Sequence, residues 1–481
     1  MTLQDKFIKK LRVAAGVAVF LLVCGCAVHE PREATLNISP PDAFVQQPVP
    51  GKSIPDTGNW WETFNDPTLN RLIDLALKNN LDLSQAFSRL RQLEAIAQKS
   101  RSVRLPRVSL SGSASRSRQL GAAGEVTGNS YSLSVAAGYE VDLWRRLASA
   151  ADAREFEAWA TAEDINSLYL TISARVADFY YLIVAQRAQL ELVDRTVAAR
   201  TDTLDLVETR FREGMAPALD LYQARQNLAG VGTRRPGIEA SLARSAHALS
   251  ILLASYPNPG IGGDLAALPD MASAFPAGLP SQLLIRRPDI RAQLLRVSAA
   301  DRDIGVAVAD RFPSVNLLAD AGKVGTDFGT SLSATIWSMA GNLAMPIIDW
   351  GGRKAEVART EAVFAEQLAE YQQTVLTAFR EVEDALVNNR TDMETIHRLE
   401  IQADAAESAM RLSTDRYLDG LSDYLPVLDA QTRHFDVESA LLSARQQLIS
   451  DRISLARALG GNWVNPASDD PKISGGQLSR K

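Results

Sequence analysis

The chain has 481 residues, 46% of them hydrophobic, and a formal net charge of −6. Its length leaves room for two or three domains. Its mild acidity excludes a nucleic-acid binder, which would carry a basic patch or stripe.

Lys6, Lys9, Lys10 and Arg12 precede an apolar run from Val13 to Val23. That run is too short to cross a bilayer as a helix. A basic start, a short apolar stretch and small residues after it mark a secretory signal peptide, assigned to residues 1–25. The cleavage region, Val23-Cys24-Gly25-Cys26, resembles the bacterial lipobox. Cys26 fits as the lipid-modified cysteine, with Gly25 small and Val23 aliphatic before it. Cys24 fits poorly, because Val23 would then stand at the cleavage position. The alternative is that both cysteines are apolar filler in a signal core. Ala27 stands where bacterial lipoproteins retained in the inner membrane carry Asp, so outer-membrane delivery is expected. A lipid on Cys26 would tether the chain without threading it through the bilayer. No cysteine follows Cys26, so no intramolecular disulfide is expected in the mature chain.

Residues 26–65 read as an extended leader, rich in Pro and Gly up to Asn59. Trp60-Trp61 and Phe64 follow, and Asp66-Pro67 gives an N-cap with proline at the first helical position. Helices are expected from Pro67 to Asn79 and from Asp82 to about Val103. From Pro106 the period changes to two. Val108, Leu110, Gly112 and Ala114 alternate with Ser109, Ser111, Ser113 and Ser115. After a Gly-rich loop over Leu120–Asn129, Tyr131, Leu133, Val135, Ala137, Tyr139 and Val141 alternate with small and polar residues. This predicts a β-hairpin at about 106–141, with one greasy face and one of small polar residues. Trp144 opens a long helix whose apolar residues step by threes, fours and sevens. It breaks at Gly214-Met215-Ala216-Pro217 and resumes from Leu219 to about Leu253.

After a Pro/Gly/Ala-rich connector the plan recurs. A helix is expected at 289–309, then a second strand pair within about 313–346. Pro313-Ser314-Val315-Asn316-Leu317 repeats Pro106-Arg107-Val108-Ser109-Leu110, and Arg416-Tyr417-Leu418-Asp419-Gly420 repeats Arg210-Phe211-Arg212-Glu213-Gly214. A second long helical hairpin runs at about 351–459, with its break at Gly420. No proline interrupts Gly352 to Leu425, so the outgoing arm would be roughly 100 Å long. The chain is therefore read as one unit duplicated: a first repeat at 66–260, a second at 261–463 and a flexible tail at 464–481.

Strands with one greasy and one small-polar face suit an outer-membrane barrel. In lipid every backbone group must be bonded, so such a sheet must close. Two hairpins give four strands, fewer than the roughly eight a barrel needs. Three chains would supply about twelve, and two a cramped eight or so. The strand count argues for a trimer, or a larger ring, that shares one barrel; as a homotrimer the chain would be a mixed α/β membrane channel with one 12-stranded β-barrel continued by a long α-helical barrel. The competing fold is a water-facing sandwich beneath an ordinary helical bundle.

Ile285-Arg286-Arg287-Pro288-Asp289-Ile290-Arg291 resembles the Arg-Arg-Pro-Asp-Ile-Arg signature of NodT-type outer-membrane lipoproteins of RND efflux systems, within the TolC family. Asp142-Leu143-Trp144, Ile348-Asp349-Trp350-Gly351-Gly352-Arg353 and Tyr424-Leu425-Pro426-Val427-Leu428-Asp429-Ala430-Gln431 are similar to further family segments. The resemblance covers essentially the whole mature chain. It implies a homotrimeric channel in the outer membrane that reaches into the periplasm and accepts substrate from an inner-membrane RND pump through a periplasmic adaptor. It also implies roles. Leu425 and Asp429, four apart on one helical face, would form the periplasmic gate. Three Asp429 carboxylates would then attract cations and repel anions; the plainer reading is a solvated acid near a helix start. Asp220 and Tyr417 match latch positions, but Ser422 stands where relatives carry a latch arginine, leaving closure to other contacts such as Leu425. Gly214, Met215 and Ala216, with Gly420, Leu421 and Ser422, match tips that meet the adaptor, although a glycine at a helix end has an ordinary conformational reason too. Arg286, Arg287 and Asp289 read as structural.

No enzyme constellation is present. The four histidines lack metal-ligand spacing, and there is no nucleophile elbow, phosphate loop or dinucleotide fingerprint. No cofactor is expected. The chain reads as a passive conduit for small molecules. Its alternatives are a conduit for protein secretion and a coiled-coil lipoprotein without a pore.

Overall fold

The structure is a computed structural model that describes residues 28–32, 34–36, 40–46, 59–121, 124–261, 267–269, 280–326 and 334–461. Cys26 lies outside the described residues. The helices are α1 (Pro67–Asn79), α2 (Leu81–Ser102), α3 (Arg146–Arg212), α4 (Ala218–Gly232), α5 (Arg235–Leu252), α6 (Pro280–Arg286), α7 (Pro288–Ala309), α8 (Gly352–Leu418) and α9 (Leu425–Ala458). The strands are β1 (Arg107–Gly121), β2 (Gly124–Val141), β3 (Ser314–Gly325) and β4 (Ala334–Ala344). Both α3 and α8 have 67 residues, about 100 Å at 1.5 Å per residue.

The chain divides into two compact units. The first comprises residues 1–37, 88–162 and 291–373. It holds one antiparallel sheet in the order β1-β2-β3-β4. Arg107 faces Gly138, Tyr131 faces Gly325 and Ser314 faces Ala344. The small-polar face is tied across the strands: Ser111 Oγ lies 2.8 Å from Ser134 Oγ, and Ser113 Oγ 2.9 Å from Ser132 Oγ. The strands run further than expected from sequence. The stretch read as a Gly-rich loop, Leu120–Asn129, is mostly strand, with Leu120 opposite Glu125 and Gly128 opposite Ser117. Cross-strand pairing overrides the weak strand preference of glycine there. At Gly322 only glycine fits, because a Cβ would stand 2.6 Å from the Leu133 carbonyl oxygen.

Where β2 gives way to α3, Asp142 accepts from the Leu147 and Ala148 amides at 3.0 and 2.7 Å. These are donors that a helix start leaves free. Trp144 stacks on Phe312, with centroids 4.9 Å apart, and donates Nε1–H to the Pro313 carbonyl at 2.8 Å. Asp349 repeats the cap before α8, accepting from Gly351 and Arg353 at 3.0 and 3.1 Å. The helices of this unit bury mainly small residues, among them Ala151, Ala153 and Ala160 on α3 and Ala292 and Ala309 on α7.

The second unit comprises residues 38–87, 163–290 and 374–481. Asp66 caps α1 through the Thr68 and Leu69 amides, and Tyr180 donates its O–H to the same carboxylate at 2.8 Å. Trp60, Trp61, Phe64, Tyr180 and Tyr181 are buried there. Arg287 ties three helices. It donates to Asp289 through Nε and Nη2 at 3.0 and 2.6 Å, and through Nη1 to Glu381 at 2.7 Å and the Ala458 carbonyl at 3.0 Å. Burial pulls its pKa down, but Asp289 and Glu381 more than offset this and hold it raised.

The return arm of the first repeat departs from expectation. The single helix predicted from Leu219 to Leu253 is two, α4 and α5, parted at Thr233-Arg234. Pro236 has no amide to donate, and its ring opposes the carbonyl four residues earlier. The return arm of the second repeat, α9, is continuous over 34 residues.

Candidate functional site at the turns Gly214 and Gly420

Both long helices end in the same turn. After α3, the Met215 amide donates to the Arg210 carbonyl at 2.8 Å and Gly214 to Phe211 at 3.0 Å. After α8, Leu421 donates to Arg416 at 2.8 Å and Gly420 to Tyr417 at 3.1 Å. These six-to-one and five-to-two bonds define a Schellman ending, which needs a left-handed residue after the helix. Gly214 and Gly420 supply it with φ of 74° and 73°. Met215 and Leu421 are exposed, whereas Ala216 and Ser422 are half-buried. The Ser422 hydroxyl has no hydrogen-bond partner among the described residues.

Behind the turns, Val207, Leu221, Ala224, Tyr417, Tyr424 and Val427 form one buried apolar cluster. The Tyr417 and Tyr424 rings meet edge to face at 5.4 Å. Asp220 and Tyr417, matched to latch positions, come together: Tyr417 donates its O–H to Asp220 Oδ2 at 3.3 Å, and both are buried. Burial raises the Asp220 pKa, opposed by that hydrogen bond. Burial and the adjoining Asp220 push Tyr417 up to about 12.

Two arginines to which the sequence reading assigned no role complete the site. Arg210 donates Nη1–H to the Leu418 carbonyl at 2.7 Å and lies over the Tyr417 ring at 5.1 Å. It thus joins the end of α3 to the end of α8. Arg433 donates to Asp429 at 2.8 Å, one turn along α9. Leu425 is 60% exposed and Asp429 is exposed too, so neither packs into its own hairpin. The carboxylate that the sequence presents alone is half of an ion pair.

Deeper, Arg200 donates to the carbonyl and side-chain oxygen of Asn227 and to the Gln431 carbonyl. Asn227 donates to Gln431 Oε1 at 3.0 Å, and Gln431 to Thr203 at 3.2 Å. Burial lowers the Arg200 pKa. Paired amides thus meet both terminal nitrogens of a buried guanidinium, while Arg200 Nε has no partner among the described residues. Among the described residues no group of His, Cys, Asp or Glu is arranged to hold a metal ion. The site offers surfaces, charges and a breakable hydrogen bond, and no reactive constellation.

Comparisons with known proteins agree with this geometry. The family model described as outer membrane efflux protein matches residues 72–255 and again 279–461, one match per repeat. The toluene efflux pump outer membrane protein TtgC of Pseudomonas putida is 31% identical over 471 residues, covering 94% of this chain and 96% of that relative. The solvent efflux pump outer membrane protein SrpC of Pseudomonas putida is 31% identical over 84% of this chain and 87% of its own. Among solved structures, the outer-membrane channel OprN superposes with a TM-score of 0.85 at 27% identity, covering 91% of this chain and 99% of that one. The open state of the Neisseria gonorrhoeae MtrE outer membrane channel superposes with a TM-score of 0.80 at 27% identity, covering 91% and 98%. These neighbours are trimeric channels of the TolC family. A duplicated chain of four strands and two long helical arms, matched along both halves, belongs to the outer membrane efflux protein family and is an outer-membrane efflux channel.

Proposed function

We propose that the chain is the outer-membrane duct of a tripartite RND-type efflux system, one third of a trimer that passes small molecules without an energy source of its own. The observation that carries this is the sheet of four strands with both edges open. Lipid tolerates no open edge, and four strands fall short of the roughly eight that close a barrel. Three copies supply about twelve. The family's pump-associated relatives support a periplasmic adaptor and an inner-membrane pump as partners.

In this reading the turns Gly214-Met215-Ala216 and Gly420-Leu421-Ser422 are the adaptor-facing tips, with Met215 and Leu421 as apolar contacts. Leu425 and Asp429 narrow the conduit, and Arg433 moderates the carboxylate's field. The Tyr417–Asp220 hydrogen bond, backed by Arg210 on the Leu418 carbonyl, holds the second hairpin to the first. That replaces the latch arginine missing at Ser422. Cys26 carries the lipid anchor.

Planar-bilayer recording tests the reading. Tyr417→Phe removes one hydrogen bond of about 0.5–1.5 kcal/mol, so conductance should rise several-fold. No conductance from any variant would sink the channel; unchanged conductance in both Tyr417→Phe and Asp220→Ala would sink the latch. Cys26→Ser should abolish incorporation of labelled palmitate.

A further inference from the structure

The open edges have a register that the duplication itself specifies. β1 precedes β3 by 207 residues, since Arg107 corresponds to Ser314. β2 precedes β4 by 206, since their partners Gly138 and Ala344 correspond. The pair β2–β3 is therefore the internal junction between one repeat and the next. In a closed ring, the repeat after the second is the first repeat of a neighbouring copy, and β4 must meet that copy's β1 as β2 meets β3. Gly138 faces Leu318 and Ala137 faces Ala319 in the internal junction. Carried forward, Ala344 faces Ser111 of the next copy, and Leu343 faces Gly112.

We propose that adjacent protomers join through β4 and β1 in this register, with Asn342, Leu343, Ala344 and Met345 opposite Ser113, Gly112, Ser111 and Leu110. The inference rests on the trimeric reading above and adds the residue register of its strand junction.

A second observation supports it independently. Opposed residues in an antiparallel pair point to the same side of the sheet. The serines at 111 and 113 lie on the face tied by the Ser111–Ser134 and Ser113–Ser132 bonds. The register sets Asn342 and Ala344 on that face. It sets Leu343 and Met345, 72% and 55% exposed, on the other with Leu110, 70% exposed. A slip of one residue would place Leu343 opposite Ser111 or Ser113 and turn the whole strand over. The register follows from the strand pairings and the repeat offset, without reference to side-chain type, and it matches greasy to greasy.

Cysteine pairs in the full-length chain test the register. The natural cysteines, Cys24 in the expected signal peptide and Cys26 at the start of the leader, both precede the strands, so introduced thiols are alone in the sheet. Two pairs are made: Ala344→Cys with Ser111→Cys, and Leu343→Cys with Gly112→Cys. Adjacent pairs alternate between close and wide spacing, so at least one of the two should oxidise to covalent dimers and trimers on a denaturing gel. Controls shift by two residues, combining Ala344→Cys with Ser109→Cys or Ser113→Cys. Such diagonal positions lie about 7–8 Å apart, beyond disulfide reach, and should remain monomeric. Native mass spectrometry of each variant is read alongside. A trimer that cross-links only in a shifted pair, or in none, overturns the register while leaving the trimeric reading intact. Monomers by native mass overturn both.

Discussion

Asn80 in the first repeat and Arg287 in the second hold one position with different chemistry. Each is buried, each stands just before a helix (α2 or α7), and each donates to a carbonyl near the end of its repeat's return arm. Asn80 Nδ2 reaches Leu252 at 3.0 Å, and Arg287 Nη1 reaches Ala458 at 3.0 Å. The amide is nearly self-sufficient, for its own oxygen caps α2 through the amides of Asp82 and Leu83. The guanidinium requires Asp289 and Glu381. The backbone plan was copied, and the bond closing it was free to change, provided every buried group stayed satisfied. A neutral solution is cheap to lose; an ionic one strands charge when cut.

That contrast sets the largest expected effect. Arg287→Ala leaves two carboxylates without their partner and should cost about 3–5 kcal/mol. Asn80→Ala removes a cap and one hydrogen bond and should cost about 1–2 kcal/mol. Denaturant midpoints in detergent should rank them so; equal losses would erase the distinction.

Asp178 and its counterpart Asp384 extend the comparison to pH. Burial pushes Asp178 up to about 6, although Ser450 donates to it at 2.9 Å and Arg457 opposes the rise. Asp384 is exposed beside Arg380. A carboxyl raised in the fold binds its proton more tightly folded than unfolded. Stability therefore falls as pH climbs from about 4 through 6, and the penalty is complete above that. Asp178→Asn should recover about 2–3 kcal/mol at pH 8 and nothing near pH 4. Asp384→Asn should change stability by less than about 0.5 kcal/mol at either pH. Thermal midpoints at the two pH values decide this, and a pH-independent Asp178→Asn would refute the account.

Among the substitutions that should destabilise, those at the turns cost least. Gly214→Ala and Gly420→Ala force a Cβ into the left-handed region at a cost of about 1 kcal/mol each. Neither new methyl meets a close neighbour: nothing lies within 4 Å at Gly214, and only the Arg210 guanidinium at 4.0 Å at Gly420. The two losses should be equal within error in the same unfolding assay. A marked inequality would show that the turns are not equivalent beneath their matching hydrogen bonds.

Much of this was legible in the chain. The change of period at Pro106, its recurrence at Pro313, and the glycines that end both long helices follow from local rules. The parting of α4 from α5 was legible too, through Pro236, but the spacing of apolar residues carried the helix past it. The strand character of Leu120–Asn129 was not legible, because glycines there are held by partners across the hairpin. At the site, Arg433 stands a readable four residues after Asp429. Asp220 and Tyr417 were paired only through family resemblance, since 197 residues separate them. Arg200 gave no local signal; its acceptors come from 27 and 231 residues away.

The offset between the repeats carries one more consequence. It is 207 from α2 through β1, and 206 for β2 and again from α3 through the ends of the return arms, the capping Asp142 and Asp349 alone standing 207 apart between them. Even the parting in the first return arm leaves the spacing of Leu252 and Ala458 at 206. From the start of the helix before the hairpin to the end of the return arm, the two copies differ in length by a single residue. Each residue of the wall is a course of masonry shared with its neighbours. Substitution alters one brick, whereas insertion would lift every course above it. The loops between strands are accordingly where the chain can lengthen, and where a tag could be carried without disturbing the wall.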